Sequence, residues 1–219
     1  MNKQTGFTLI ELAIVLVIIG LLLGGVLRGQ ELINSAKAKN ITADLKNVQI
    51  FIYGYQDKFR AIPGDDANVA THINNGTPAT TPAGTLNNAQ INGAWNSPTI
   101  TDESFLFWQH VRLAGFATGP TAVGDPAYLP RNAESGRFGV QSLNATFTTI
   151  ADPAGTAMTG SYVTCTENIA GRLVKQIDAN LDDGNTATGS LRAVLAAGGA
   201  SVASAAIIDG TPYIVCMAF

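Results

Sequence analysis

The sequence has few of the side chains on which most catalytic and metal centres depend. Its 219 residues include two histidines and two cysteines, and these do not form the paired ligand sets of a zinc site. We find no nucleophile with a neighbouring base, and no phosphate-binding glycine loop between a strand and a helix. His110 has no companion for metal binding or catalysis, so we expect it to be structural. The sequence therefore predicts that the chain is not an enzyme.

Charged residues are also scarce, at 13% of the chain, and they are unevenly distributed. The segment from Arg28 to Arg60 has six basic and three acidic residues, whereas the chain from Ala61 onwards has six basic and twelve acidic residues. Because the second part has no visible basic patch, we do not expect it to bind nucleic acid broadly. The asymmetry favours basic stalks that meet acidic heads in an assembly, or it is simply that of a mildly acidic domain on an ordinary helix.

Residues 7–27 form an apolar run whose only charged side chain is Glu11. At about 1.5 Å per helical residue, the run can cross a bilayer core of about 30 Å. No small-x-small cleavage site follows it, so we do not expect its removal as an ordinary secretory signal. Lys3 precedes the run, which favours a cytoplasmic N-terminus and export of the rest. Because a carboxylate in a membrane is costly, we expect Glu11 to face a cationic partner.

The residues before and around Glu11 resemble a known processing site. Residues 6–11, Gly-Phe-Thr-Leu-Ile-Glu, are similar to the site at which type IV prepilins and type II secretion pseudopilins are cleaved. The resemblance implies that a prepilin peptidase cuts between Gly6 and Phe7 and that Phe7 is then N-methylated. It also implies that Glu11 pairs with the Phe7 ammonium of a neighbouring subunit, which would supply the expected cation. The alternative is an uncleaved single-pass anchor in which Glu11 lies near the membrane surface.

The resemblance also implies partners and a location. The precursor would be a single-pass protein of the bacterial inner membrane, in contact with lipid, with its head outside the cytoplasm. An inner-membrane assembly platform would add it to a filament of itself or related pilins, either an extracellular pilus or a periplasmic pseudopilus. The pilus subunit is preferred. A pseudopilin of a secretion or DNA-uptake system is the alternative, and an anchored head with an undetected binding or catalytic role is a third hypothesis.

The absence of proline between Phe7 and Ile62 allows one helix to run through this whole interval. Beyond the apolar run, hydrophobic residues recur at spacings of three and four: Ala38, Ile41, Leu45, Val48, Ile52, Tyr55 and Phe59. This stripe predicts an amphipathic helix that packs on the domain's own sheet and ends at Ala-Ile-Pro-Gly, residues 61–64. We therefore expect a cleaved leader, a membrane and assembly helix, an amphipathic stalk helix and a globular head: residues 1–6, 7–27, 28–60 and 61–219.

The head begins with a segment that has no Asp, Glu, Lys or Arg, residues 67–101. Its many turn-forming residues predict an irregular surface excursion. A helix is predicted over 102–115, capped by Thr101 or Asp102. Its expected core residues are Phe105, Trp108 and Leu113.

The rest of the head favours strands. They are predicted over residues 137–150, 160–164, 203–208 and 213–217, with a helix near 167–180. Asp209-Gly210 predicts a hairpin turn between the last two strands, although Pro212 indicates a longer loop or an edge strand. One long helix followed by an antiparallel sheet gives an α+β fold, which is also the pilin architecture that the resemblance implies.

Cys165 and Cys216 both lie in the part of the chain expected outside the cytoplasm, where oxidising conditions favour a disulfide. In position the pair resembles the C-terminal disulfide of many type IV pilins. The alternative is two free thiols.

An acidic segment suggests one ligand site. Asp178, Asn180, Asp182 and Asp183 place oxygen ligands at alternating positions, as at the start of a calcium loop. The segment departs from the EF-hand pattern, because its sixth position is Asp183 rather than glycine and its twelfth is Gly189 rather than glutamate. Calcium is the only cofactor that the sequence suggests, and the alternative is a polar helix end and turn that binds no ion.

Overall fold

The structure is a computed structural model that describes residues 9–143 and 150–219. Its contacts divide the chain into two units, an N-terminal unit up to Ala36 and a C-terminal unit from Lys37 to Phe219. The predicted boundaries at residues 27 and 60 do not coincide with this division and stay predictions.

The first helix, α1, runs without interruption from Leu9 to Phe59, as the absence of proline predicts. All of its large apolar side chains between Leu9 and Ile33 are exposed. By length and composition this helix is capable of crossing a membrane. Gly6 and Phe7 lie outside the described residues.

In the C-terminal unit, α1 buries one face. Its buried residues are the first six of the predicted stripe: Ala38, Ile41, Leu45, Val48, Ile52 and Tyr55. Phe59, the seventh, is half-buried and packs on Tyr55 with ring centroids 4.7 Å apart. The helix ends where Arg60 adopts a φ of +56°, a conformation common just past helix ends, and Pro63 follows. The amphipathic stripe is therefore confirmed.

A four-stranded antiparallel sheet lies against this face, with strand order β1-β2-β4-β3. The strands are β1 (Phe138–Ser142), β2 (Tyr162–Ala170), β3 (Leu191–Leu195) and β4 (Pro212–Ala218). The remaining helices are α2 (Val69–His72), α3 (Glu103–Leu113) and α4 (Gly171–Leu181), with a 3-10 turn at Ser204–Ala206. This architecture confirms the predicted α+β, pilin-like fold.

The sheet has two buried faces. One face shares the main core with helices α1, α3 and α4, through residues that include Ile41, Phe107, Leu173, Val215 and Met217. Phe105 and Trp108 lie in this core, as predicted. Leu113 is half-buried against a separate cluster of Tyr55, Val69 and Ile73. The opposite face carries a smaller cluster of Ile150, Met158, Val163, Cys165, Val194, Cys216 and Ala218.

The predictions for the C-terminal strands need correction. Residues 203–208 contain the 3-10 turn instead of a strand, because alanine-rich segments have little side chain to pack on a sheet. The turn at Asp209-Gly210 therefore does not join two paired strands. β3, which was not predicted, pairs with β4 in its place. β4 is an interior strand, and it tolerates Pro212 because this is its first residue.

The boundary between β2 and α4 also differs from the prediction. Glu167 to Ala170 belong to the strand, and the helix begins only at Gly171. The register shifts between Thr166 and Ile169, where Asn168 has a φ of +62°. Such a bulge hides the period of two on which strand prediction depends. The predicted strand over 137–150 is β1, and its residues 144–149 lie outside the described part.

The uncharged excursion, residues 67–101, is irregular apart from the short α2, broadly as predicted. Three acids that flank it in sequence hold it in place. Asp65 accepts the backbone N–H groups of Asn87, Asn88 and Ala89. Asp102 accepts hydrogen bonds from the Thr81 and Ser97 hydroxyls. Glu103 accepts one from the Thr85 hydroxyl and one from the Asn92 side-chain amide. The segment is ordered by carboxylates that are not part of it.

His110 also has the structural role expected of it. Its Nδ1 accepts the Gly64 N–H at 2.9 Å, and its Nε2 lies 2.9 Å from the Thr77 carbonyl oxygen. This pair of contacts requires the neutral ring with its proton on Nε2. Burial lowers the pKa of His110, and the Thr77 hydrogen bond and the charge of Asp66 offset part of this effect.

Candidate functional site

The N-terminal processing segment is only partly within the described residues. Gly6 and Phe7 lie outside them, so their roles in cleavage and methylation stay predictions. Glu11 lies in the first turn of α1 and is exposed. Its neighbours one turn further along the helix, Ile14 and Val15, are exposed as well. A carboxylate on so apolar a helix surface needs a cationic partner if that surface enters lipid or packs against other helices.

The two cysteines are directly opposite each other on neighbouring strands. Cys165 on β2 is the register partner of Cys216 on β4, and their sulfur atoms are bonded. Both residues are fully buried in the smaller cluster, on the face of the sheet opposite α1. The predicted disulfide is therefore confirmed, and it joins the two central strands.

Three acids meet at the C-terminal end of α4 and form what we call the acidic cluster: Asp178, Asp182 and Asp183. Asp178 lies in the last turn of α4, Asp182 is the residue after the helix, and Asp183 follows it. One oxygen atom from each carboxylate lies within 4.8 Å of the others. The helix end therefore brings together three of the four residues predicted to bind calcium.

Asp178 is the most unusual member of the cluster. It is fully buried, and neither carboxylate oxygen has a hydrogen-bond partner within the described residues. Burial, with the charges of Asp183 and Asp182, raises the pKa of Asp178 to about 6. The Gly184 N–H offsets part of this rise without meeting hydrogen-bond geometry. Because a buried ionised group without a partner is costly, this carboxylate fits a bound cation.

The other two carboxylates are held by the loop that follows. Asp182 Oδ2 accepts the Leu191 N–H at 2.8 Å. Asp183 accepts the Asn185 N–H at 2.8 Å and the Thr188 hydroxyl at 2.9 Å. These two hydrogen bonds lower the pKa of Asp183, so this carboxylate is ionised. A set of carboxylate oxygens suits a hard cation such as calcium.

Asn180 does not share this arrangement. It is exposed on α4, two residues after Asp178, and residues two apart on a helix do not face the same direction. Its role as a ligand stays a prediction that no contact among the described residues supports. The sequence analysis treated Gly189 only as a departure from the EF-hand pattern and missed its role. Gly189 has a φ of +73°, and a Cβ at this position would lie 2.1 Å from Asp182 Oδ2. The glycine allows the chain to pass close to this carboxylate.

The comparisons with known proteins concern the N-terminus. Residues 1–27 match the family described as the prokaryotic N-terminal methylation motif. No curated protein and no solved structure matches the chain. The match includes Gly6, Phe7 and Glu11, and it confirms the resemblance to type IV pilins and pseudopilins. This motif is that of structural subunits rather than enzymes. The motif supports a type IV pilin-like or pseudopilin precursor, and the described residues have a pilin-like α+β fold.

Proposed function

We propose that the protein is a structural subunit of a type IV pilus or pilus-like filament. It is made as a prepilin, cleaved after Gly6, N-methylated at Phe7 and assembled through α1. The observation that carries the proposal is the methylation motif at residues 1–27, placed at the start of a long helix with exposed apolar side chains. Such a surface is covered by lipid before assembly and by other helices afterwards, because exposing so much apolar area to water costs free energy.

Glu11 gives the assembly its register. Cleavage creates an ammonium group at Phe7, and a neighbouring subunit brings this group to the Glu11 carboxylate. In a low dielectric the two charges attract strongly, and a pair buried in this way penalises every other axial offset between the helices. The proposed partners are prepilin peptidase, an inner-membrane assembly platform and further copies of the chain.

The glycines of α1 support close helix packing. A Cβ built at Gly20, Gly24, Gly25 or Gly29 would meet no atom within 4 Å. These positions leave the helix backbone open to a neighbouring helix. Packing of this kind gives contact area that lipid chains do not provide.

A pseudopilin of a secretion or DNA-uptake system is the alternative, and the acidic cluster favours it, since some secretion pseudopilins bind calcium in their C-terminal region. The disulfide favours the pilus. A deletion strain separates the two functions. If the chain is a pilus subunit, surface filaments seen by immunogold electron microscopy disappear and enzyme export continues. Loss of export with intact filaments would support the pseudopilin, and no change in either would contradict both.

We also propose that the acidic cluster binds calcium. The buried Asp178 carboxylate, which has no hydrogen-bond partner among the described residues, supports this assignment, and Asp182 and Asp183 supply the further oxygen ligands. Isothermal titration of the full chain in detergent micelles with calcium tests it. Binding should disappear in Asp182→Ala and persist in Asp209→Asn, which changes an exposed acid paired with Lys175 outside the cluster. Equal binding by both variants would contradict the site.

A further inference from the structure

One of the two edges of the sheet, which we call the outer edge, is formed by β3, which pairs with β4 on one side only. In an antiparallel pair, alternate residues direct their backbone groups towards and away from the partner strand. Leu191 and Ala193 direct theirs away from β4. An edge of this kind is a template for pairing with another chain unless something covers it.

The loop that carries Asp182 and Asp183 covers this edge. We call residues 182–188 the cap loop. Its Asp182 carboxylate accepts the Leu191 N–H at 2.8 Å, and its Thr186 carbonyl accepts the Ala193 N–H at 2.9 Å. The Ala193 carbonyl accepts the Val202 N–H at 2.8 Å. The Leu191 and Ala193 N–H groups are thus paired with the cap loop, and the Ala193 carbonyl with Val202.

The cap loop is tied to a second segment, residues 201–204. The Thr186 hydroxyl donates to the Val202 carbonyl at 2.5 Å, and the Thr186 N–H donates to the Ser204 hydroxyl at 3.0 Å. The Ser201 hydroxyl donates to the Ala187 carbonyl at 2.7 Å. Thr186 and Ala187 are buried by these contacts. Loop and segment therefore form one layer over the edge of the sheet.

Asp182 belongs to both arrangements, since it caps β3 and is a member of the acidic cluster. Without a cation, three carboxylates within 4.8 Å repel one another, and Asp178 is buried with no hydrogen-bond partner in the part of the chain that the structure describes. Asp178 is fixed on α4, whereas Asp182 and Asp183 lie on the loop. This repulsion is relieved most easily when the loop moves away from the helix end. The movement separates the Asp182 carboxylate and the Thr186 carbonyl from the β3 N–H groups that they accept.

We propose that a divalent cation in the acidic cluster closes the outer edge of the sheet, and that its removal opens this edge by releasing the cap loop from β3. The inference rests on the proposed calcium site. It assigns the site a regulatory role, because opening the edge exposes β3 backbone groups that the cap loop otherwise pairs.

Hydrogen exchange at residue resolution tests the proposal on the full chain in detergent micelles, with calcium or with EGTA. The N–H groups of Leu191 and Ala193 face the caps, whereas those of Arg192 and Val194 face β4 and serve as internal controls. We expect calcium to slow exchange at Leu191 and Ala193 by about tenfold or more. At calcium concentrations of 100 times the Kd, linkage allows up to about 100-fold. The two control amides should slow by much less.

Two variants sharpen the result. Asp183→Asn weakens the cluster but leaves the Asp182 cap in place, so it should lose the calcium effect at Leu191 and Ala193. Asp209→Asn should retain the effect. If calcium slows all four amides equally, or binds without slowing Leu191 and Ala193, the edge proposal is overturned while the calcium site stands. If titration detects no calcium binding, the site and the edge proposal both fail.

Discussion

At the scale of single residues, the buried acids of the C-terminal unit differ in whether other groups donate hydrogen bonds to their carboxylates. Asp65 is nearly fully buried and accepts three backbone N–H groups. Asp66, also buried, accepts the Tyr55 hydroxyl at 2.8 Å and contacts His72 Nδ1 at 2.7 Å. Asp178 has no comparable partner among the described residues. The first two carboxylates are explained by folding, whereas the proposed calcium site accounts for Asp178.

This contrast predicts opposite effects for two Asp-to-Asn substitutions. Asp178→Asn removes a buried charge, so at neutral pH without calcium we expect it to stabilise the protein by about 1–2 kcal/mol. Asp65→Asn replaces one carboxylate oxygen by an amide group facing the Ala89 N–H, so we expect a loss of about 1–3 kcal/mol. Chemical unfolding in EGTA measures both. A loss of stability in Asp178→Asn as large as that in Asp65→Asn would contradict this assignment.

His110 predicts part of the pH dependence of stability. The folded protein holds the neutral ring, and burial lowers the pKa of His110. The unfolded chain takes up this proton near pH 6.5, its ordinary value. Since the unfolded state then binds more protons, this contribution to stability is complete above about pH 6.5 and is lost as the pH falls towards the lower folded pKa. Unfolding between pH 5.5 and 8 should show this slope.

His110→Gln is the matched control for that prediction. The substitution removes the titrating ring, so the variant should be less stable than the wild type at pH 8 but should lose less stability on acidification. An unchanged slope in His110→Gln would assign the pH dependence to other groups.

At the scale of elements, the disulfide joins β2 to β4, the two central strands. It links residues 51 apart in sequence, and closing a loop of this size in the unfolded chain corresponds to about 4 kcal/mol of stabilisation in a chain-entropy model. We expect Cys165→Ala/Cys216→Ala to lower stability by up to this amount. Thermal unfolding measures it, and a reducing agent should lower the Tm of the wild type but not that of the variant. A wild-type Tm insensitive to reduction would contradict the prediction.

The elements also show what a sequence can predict. The buried face of α1 follows from its apolar spacing, because a helix repeats every 3.6 residues whatever it packs against. β3 could not be predicted in this way, since Arg192 interrupts its apolar residues. The Arg192 guanidinium is buried and donates to the carbonyls of Ile150 and Thr156, at 3.2 and 2.6 Å. Only the tertiary structure supplies these acceptors.

The candidate site was partly predictable for a related reason. The acids of the cluster are close in sequence, and their number suggests a cation. Their geometry depends on where α4 ends, at Leu181, which places Asp178 and Asn180 on different faces of a helix. The hydrogen bond from Leu191 to Asp182 crosses between two elements and leaves no signal in the local sequence.

At the scale of the whole molecule, the proposed assembly depends on a charge in α1, Glu11, which lies outside the C-terminal unit. We expect Glu11→Gln to be cleaved and methylated normally. Its assembly into filaments should fall by tenfold or more, because loss of a buried ion pair costs at least about 1.4 kcal/mol, which corresponds to a factor of ten. Quantitative immunoblotting of sheared filaments measures it. Glu31→Gln, on the same helix, is the control and should assemble normally. Normal assembly of Glu11→Gln would contradict the proposed role of this residue.

The central claim is that this chain is a processed filament subunit, and the mature N-terminus tests it most directly. Intact-mass and N-terminal analysis should be carried out on protein from cells with and without the prepilin peptidase. With the peptidase, we expect a chain that begins at Phe7, lacks Met1 to Gly6 and carries one N-terminal methyl group. Without the peptidase, the full precursor should remain. An unprocessed Met1 terminus in cells that contain the peptidase would contradict the proposed processing.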